Sequence, residues 1–351
     1  MYARRFDNAP EKLISKGKAA FGTYNDVPPF LDISGMKAPY AGIPLPKFIS
    51  RLRIKSRLIY VFNIENYIGF SELYDFKVFG LSQIVFWNKK TGVKYAYHNY
   101  MGNPRRYVPL TTQKGRCACY TPKRIIKVVW GRNHKHNALS FKVRGDGIRP
   151  SAEGFCISTL NDKIHSDAMF VNPSPASSRV SATWFNAISI KGKIELNNQE
   201  EQFSEGLAAM VINRAYYKFR SRTTFAIGLG TLSNGKKIVF HLKSSNQDAA
   251  NSDIYNDNIL TVDGENSALP SVYITHPFGI KKTWIIQDVE NMIDLSFSPI
   301  SIDERNLNII ALRRIQSSIY GTFEGTLLTK NGEKISFKSL PGIINFSLLR
   351  L

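Results

Sequence analysis

Cysteine is scarce in this chain: Cys117, Cys119 and Cys156 are all there is in 351 residues. So small and odd a number excludes a disulfide scaffold and points to a reducing compartment. Long apolar runs are missing as well. No uncharged stretch approaches the ~18 residues of a spanning helix, and the opening MYARRFDNAPEKL has no apolar segment of the kind a secretion signal needs. A cytoplasmic location is therefore expected. Acid is what residues 101–150 lack, with twelve Lys and Arg against Asp146 alone.

That last absence is part of a wider asymmetry. The net charge is +20, yet residues 1–150 hold 27 basic and 8 acidic side chains while 151–351 hold 20 and 19. A basic surface confined to one part of a molecule suits an anionic partner, although solubility alone would also be served by it. Within 101–150 the basic residues are interleaved with Tyr107, Tyr120 and Trp130, a mixture that can grip single-stranded nucleic acid. No recognised nucleic-acid motif accompanies it, so an anionic membrane surface ranks ahead of nucleic acid as the expected partner of this half.

What is present is the punctuation of an antiparallel β protein. Strand-like runs recur in pairs across short turns bearing Gly or Asn: 75–87 with 93–101, 223–232 with 236–243, 321–328 with 334–338, and 188–190 with 194–196 around Lys191-Gly192-Lys193. In 236–243, Ile238, Phe240 and Leu242 share one face, and Lys237, His241 and Lys243 share the other with Val239. Such alternation marks a sheet wet on one side or lining a lumen. Helical patterns are few: a short one is expected in the first twenty residues, and others at 201–212 and 341–349. The expected fold class is all-β, as two antiparallel β-barrel domains with few short helices. The Pro- and Ser-rich stretch 171–179 is the expected break, giving a basic domain over 21–170 and a second over 180–351. Residues 244–258, rich in Asn, Asp and Ser, are expected to form a long loop.

Chemical motifs are sparse. Gly228-Leu229-Gly230 with Gly235 has the wrong spacing for a dinucleotide loop and precedes a strand, where a pyrophosphate needs a helix N-terminus. Cys117-Ala118-Cys119 and His134-Lys135-His136 place like residues on one strand face, but without the Cys-x-x-Cys spacing of a strong zinc site. A buried cysteine pair and surface histidines are the favoured reading, with no metal and no cofactor. Asp162, His165 and Asp167 form a polar cluster with weak catalytic promise.

Three ordered stretches carry a family resemblance. Arg214-Ala-Tyr-Tyr-Lys218-Phe-Arg220-Ser-Arg222, then Asp257-Asn258-Ile-Leu-Thr-Val-Asp263-Gly264, and finally Asp294-Leu-Ser-Phe297-Ser-Pro299 with Asn306, Gln316 and Tyr320-Gly321-Thr-Phe323-Glu-Gly325 resemble a bacterial family known as domain of unknown function 2804. The resemblance runs over most of the chain from about Phe21. Val211 stands where that family tends to carry an acid, and Thr223 and Phe225 where it carries tryptophans. The family is in turn similar to lipocalin-like two-barrel proteins of the carotenoid hydratase and tocopherol cyclase type. The resemblance implies two barrels and an apolar or isoprenoid-like ligand.

Together these readings lead to an expected binder of a hydrophobic or amphipathic small molecule. Lys218, Arg220 and Arg222 are expected to hold a polar or anionic head, with Asn246, Asp248 and Asn258 near the mouth. The alternative is a hydratase- or cyclase-type enzyme that protonates an alkene with a buried carboxylic acid. Asp248, Asp253 and Asp263 are the candidate acids, with a turn before Gly264 the favoured reading for Asp263.

Overall fold

Period-two patterning becomes strand nearly everywhere, and the burial of each face decides what that strand packs against. The computed structural model describes residues 4–40, 46–102, 108–134, 136–159, 164–309 and 312–350. After a small ribbon of β1 (Ile14–Ser15) and β2 (Lys18–Ala19), a twelve-stranded sheet begins with β3 (Gly22–Tyr24). It continues through β4 (Ile54–Ile64), β5 (Tyr67–Asp75), β6 (Gly80–Asn88), β7 (Lys94–Met101), β8 (Lys114–Thr121) and β9 (Arg124–Gly131). Its last strands are β10 (His136–Val143), β11 (Ala152–Ser158), β12 (Ser166–Pro173), β13 (Val180–Leu196) and β14 (Ser204–Tyr216). A nine-stranded sheet follows: β15 (Arg220–Thr231), β16 (Lys237–Ser245), β17 (Ile259–Val262), β18 (Glu265–Ala268), β19 (Tyr273–Thr275), β20 (Trp284–Gln287), β21 (Ile293–Ile309), β22 (Leu312–Leu328) and β23 (Lys334–Arg350). One six-residue helix, α1 (Lys47–Leu52), leads into β4.

The first sheet runs in the order β7-β6-β5-β4-β14-β13-β11-β10-β9-β8, with β12 pairing β13 and β3. Its end strands come together where the Asn99 amide donates to Cys119 Sγ at 3.0 Å. The second sheet runs β18-β17-β16-β15-β23-β22-β21-β20-β19. The result is all-β and antiparallel, as the alternation led one to expect; of the two barrels expected, one is nearly closed and the other is a half-barrel. No helix among the described residues is long and apolar enough to cross a membrane.

Three apolar clusters give the molecule its layers. Leu58, Tyr60 and Phe62 point into the first barrel, which Phe86, Phe141, Trp130 and Trp184 fill. Phe240, Phe297, Phe323 and Trp284 fill the concave side of the half-barrel. The opposite faces of the same strands form the third cluster: Ile59, Val61, Phe185 and Val211 meet Phe225, Ile227, Val239 and Ile343. Burying each such side chain contributes roughly 1.5–3 kcal/mol, which makes this junction a true core.

Several local expectations are corrected. Residues 201–212 are not helical; they enter β14, whose positions Leu207–Ile212 are buried on both faces. An unbroken apolar run looks alike in a buried helix and a doubly covered strand. The same ambiguity misleads at 341–349, which lies in β23, with Ile343 facing the junction and Ile344 the half-barrel core. No helix forms in the described part of the first twenty residues, where β1 and β2 stand. Lys191-Gly192-Lys193 is no turn either, for β13 runs straight through it. A Cβ on Gly192 would lie 2.9 Å from Cys156 Sγ and 3.1 Å from Ile64 Cγ2, so this glycine permits close packing.

The 171–179 stretch joins β12 to β13, which pair with each other in the first sheet. Passage from the first sheet to the second takes place between Tyr216 and Arg220. The loop expected over 244–258 is observed as turns and bends after Ser245.

Candidate functional site

Alternation places the polar face of β16 against the first sheet instead of in solvent. Ile238, Phe240 and Leu242 enter the half-barrel core, so His241, Lys243 and Ser245 point toward the first barrel. Opposite them stand Arg57 and Ile59 of β4, Ser181 and Thr183 of β13, and Val211, Asn213 and Ala215 of β14. Thr223 and Phe225 of β15, with Asp248, Tyr255 and Asp257 from the loop beyond β16, complete the wall. These groups enclose a cavity of about 60 Å³ between the two sheets. Several of the lining groups are only half-buried, Asn213, Tyr217, Thr223, Lys243, Ser245, Asp248 and Tyr255 among them, so the cavity is partly open.

A lysine between two carboxylates dominates its electrostatics. Asp257 is buried and accepts from Lys243 Nζ at 2.7 Å, Thr183 Oγ1 at 3.0 Å and Asn172 Nδ2 at 2.5 Å. Burial alone would raise its pKa, but the ammonium of Lys243 holds it below the usual carboxylate value. Lys243, desolvated yet faced by Asp257 and Asp248, is held above its ordinary value and stays charged. Asp248 sits farther out, with Oδ1 3.5 Å from Lys243 and Oδ2 accepting from the Ser245 N–H at 2.6 Å. Burial, reinforced by the negative charge of Asp257, raises the Asp248 pKa despite the lysine. One carboxylate is thus pinned in its charged form while its neighbour is the easier to protonate, the division of labour an acid–base site requires.

His241 adds a neutral imidazole. Its Nδ1 is 3.0 Å from the Asp257 carbonyl oxygen, which can only accept, so Nδ1 carries the proton and Nε2 the lone pair. Burial pushes the His241 pKa down. The ring lies between Phe185 and Phe225, with centroids 6.2 and 6.1 Å away.

Arg57 ties this cavity to a second polar cluster. Its guanidinium lies 5.0 Å over Phe225, and its Nε donates to Glu72 Oε1 at 2.5 Å. Arg314 of β22 donates to the same oxygen at 2.7 Å, and Gln83 and Gln316 donate to Oε2. Glu72 is 1 % exposed, and burial would raise its pKa, yet Arg314 and Arg57 bring it down to about 2. Near neutral pH it is an anion joining the two sheets.

The residues singled out from sequence divide into separate places. Asp248 lines the inter-sheet cavity. Arg220, Arg222 and Asn246 line a different groove on the other face of β15. Lys218 donates to the Asn246 carbonyl at 2.7 Å. Asn258 is fully buried, and its side chain accepts from the Lys243 N–H and donates to the Pro270 carbonyl. Asp253 is exposed and accepts from Ser271 Oγ at 2.6 Å. Asp263 is a turn residue with φ 47°, as expected. Asp162 lies outside the described residues, while Asp167 accepts from Trp184 Nε1 at 2.7 Å and Asn186 Nδ2 at 3.0 Å as a structural anchor.

Cys117 and Cys119 are buried, and no group of three metal-ligating side chains forms among the described residues. In the basic segment, Trp130 packs against Trp184 in the barrel core while Tyr120 is exposed; Tyr107 lies outside the described residues. Sequence reasoning missed Lys243, His241, Asp257, Arg57 and Glu72. For the first two a signal existed, since they form the polar face of a strand whose other face is apolar.

Among solved structures, kievitone hydratase from Nectria haematococca is 10% identical, with 84% of this chain and 88% of that one covered at a TM-score of 0.44. A putative AttH from Nitrosomonas europaea is 10% identical, with 90% and 99% covered at 0.46. CghA, solved with Sch210972, is 9% identical, with 85% and 88% covered at 0.33. Comparison with curated proteins gives no significant match. The family model described as domain of unknown function 2804 matches residues 48–347, and the chain belongs to that family.

Proposed function

We propose that the protein binds a small amphipathic molecule of lipid or isoprenoid type, with its polar end in the inter-sheet cavity. The observation carrying this reading is the convergence of Lys243, His241, Asp248 and Arg57 beside apolar Ile59, Val211 and Phe225 on one enclosed space. A volume of about 60 Å³ takes a head group of a few heavy atoms. The apolar remainder extends out of the cavity past half-buried lining residues such as Tyr217 and Tyr255.

Asp248 favours a second reading, acid-catalysed addition to an alkene. Its carboxyl donates a proton to one alkene carbon, the cation formed is captured by water or an internal hydroxyl, and the proton lost from that oxygen returns to the carboxylate. Asp257, pinned by Lys243, does not serve as the acid but stabilises positive charge nearby.

Calorimetric titration with farnesol, beside native mass spectrometry of the purified protein, tests both readings. Saturable binding is expected in the wild type and is lost in Val211→Phe, which fills the cavity. Asp248→Asn keeps binding, because the Ser245 N–H still has an oxygen to meet; under the second reading it abolishes the mass gain of one water. Absence from the wild type of both farnesol binding and any copurifying molecule would overturn the proposal.

A further inference from the structure

The second half of the chain is almost neutral, yet it gathers four arginines on one patch. Arg220 of β15 stands directly opposite Arg350 of β23, and Arg350 stands opposite Arg313 of β22. Arg222 follows two positions along on the same face of β15, opposite Leu348, which is itself opposite Ile315. All four guanidinium side chains are exposed, and none forms an ion pair with an acid among the described residues. Directly opposed like charges destabilise a sheet. Two of them are held by aromatic faces, Arg222 at 5.3 Å over Phe346 and Arg350 at 5.6 Å over Phe219. Stacking of that kind leaves the in-plane N–H groups free for oxygen ligands.

The backbone beneath is fixed. The Asn246 side chain accepts from the Arg222 N–H at 3.0 Å and donates to the Arg220 carbonyl at 3.3 Å. Ile315 and Leu348 lie among the arginines as an apolar floor, and the groove measures about 380 Å³. It occupies the concave side of the half-barrel, since Ala226 and Ile344 continue the same faces into that core. Thr223 and Phe225 point the opposite way into the inter-sheet cavity, so the two sites are distinct.

We propose that this groove binds a free phosphate monoester bearing an apolar chain. The dianionic head sits among Arg220, Arg313 and Arg350, within reach of Arg222, and the chain lies on Leu348 and Ile315. Three guanidinium groups converging from adjacent strands match the charge and the several oxygens of a phosphate better than a single carboxylate. A phosphate could be presented equally by a membrane headgroup; the concave, apolar-floored shape favours the free ester.

Calorimetry with monomeric dodecyl phosphate and with inorganic phosphate tests this assignment, alongside flotation with phosphatidic-acid vesicles. One saturable dodecyl phosphate site is expected, tighter than that for inorganic phosphate and weakening as salt rises. Arg350→Ala should weaken it about tenfold, the scale of one lost charge-assisted hydrogen bond. Leu348→Asp should weaken the ester more than inorganic phosphate, and Val211→Phe in the other site should leave it unchanged. Absence of saturable binding, or binding indifferent to Arg350→Ala, would overturn the proposal. Flotation with vesicles without binding of the monomeric ester would overturn the free-ligand assignment and make this face a membrane contact.

Discussion

Glu72 shows how one side chain couples burial, charge and pH. Its carboxylate stands between Arg57 of the first sheet and Arg314 of the second, and its folded pKa of about 2 lies below the ordinary 4.5. A carboxylate with a lowered folded pKa contributes stability that is complete above the unfolded value and fades as pH falls toward the folded one. The wild type should thus lose stability between about pH 4.5 and about pH 2. Glu72→Gln leaves Arg314 buried without its counter-charge and should cost about 3–5 kcal/mol near neutrality. Urea unfolding across that pH range checks both, because the gap between wild type and variant should narrow as the medium becomes acidic. A gap independent of pH would show that the ion pairs do not set it. Little of this was legible beforehand. Glu72 is a lone acid in an otherwise uncharged stretch from Tyr67 to Tyr74, a hint that a partner exists, but Arg314 lies 242 positions away.

Strands were legible wherever one face was polar, since period two survives there. The β15–β16 and β22–β23 hairpins stand where their Asn-Gly turns point. Where both faces are covered the period vanishes, which is why β14 and the end of β23 read as helices. Gly192 shows the converse error, a glycine read as a turn that instead admits the neighbouring Cys156 and Ile64. Gly192→Val should destabilise the protein by ~1–3 kcal/mol through overpacking against those groups. Thermal melts compare it with Gly235→Val, at a true turn where φ is 82° and no atom lies within 4 Å of the added Cβ. The second substitution acts through backbone strain. Equal retention of stability in Gly192→Val and the wild type would contradict the continuous β13.

At the scale of the whole molecule, the polar faces of the sheets were visible in the sequence, but their destination was not. Alternation in β16 distinguishes an apolar face from a polar one, and a polar face ordinarily meets water. Here it meets the other unit, because Phe225, Ile227 and Val239 bring the two sheets together around it. The charge asymmetry does not identify this cavity either, since Arg57 and Ile59 are the lining residues that come from the basic first half and the other lining residues come from the nearly neutral second. Asp248 was legible as an acid in a polar loop; Lys243, His241 and Asp257 become a site only when the two sheets close on one another. The central claim is that the ligand occupies the space between the units. A crystal structure of the protein soaked with farnesol tests it most directly. The account predicts ligand density between β14 and β16, with its hydroxyl at Lys243 or Asp248; farnesol inside the first barrel or on the arginine groove, with this cavity holding only solvent, would contradict it.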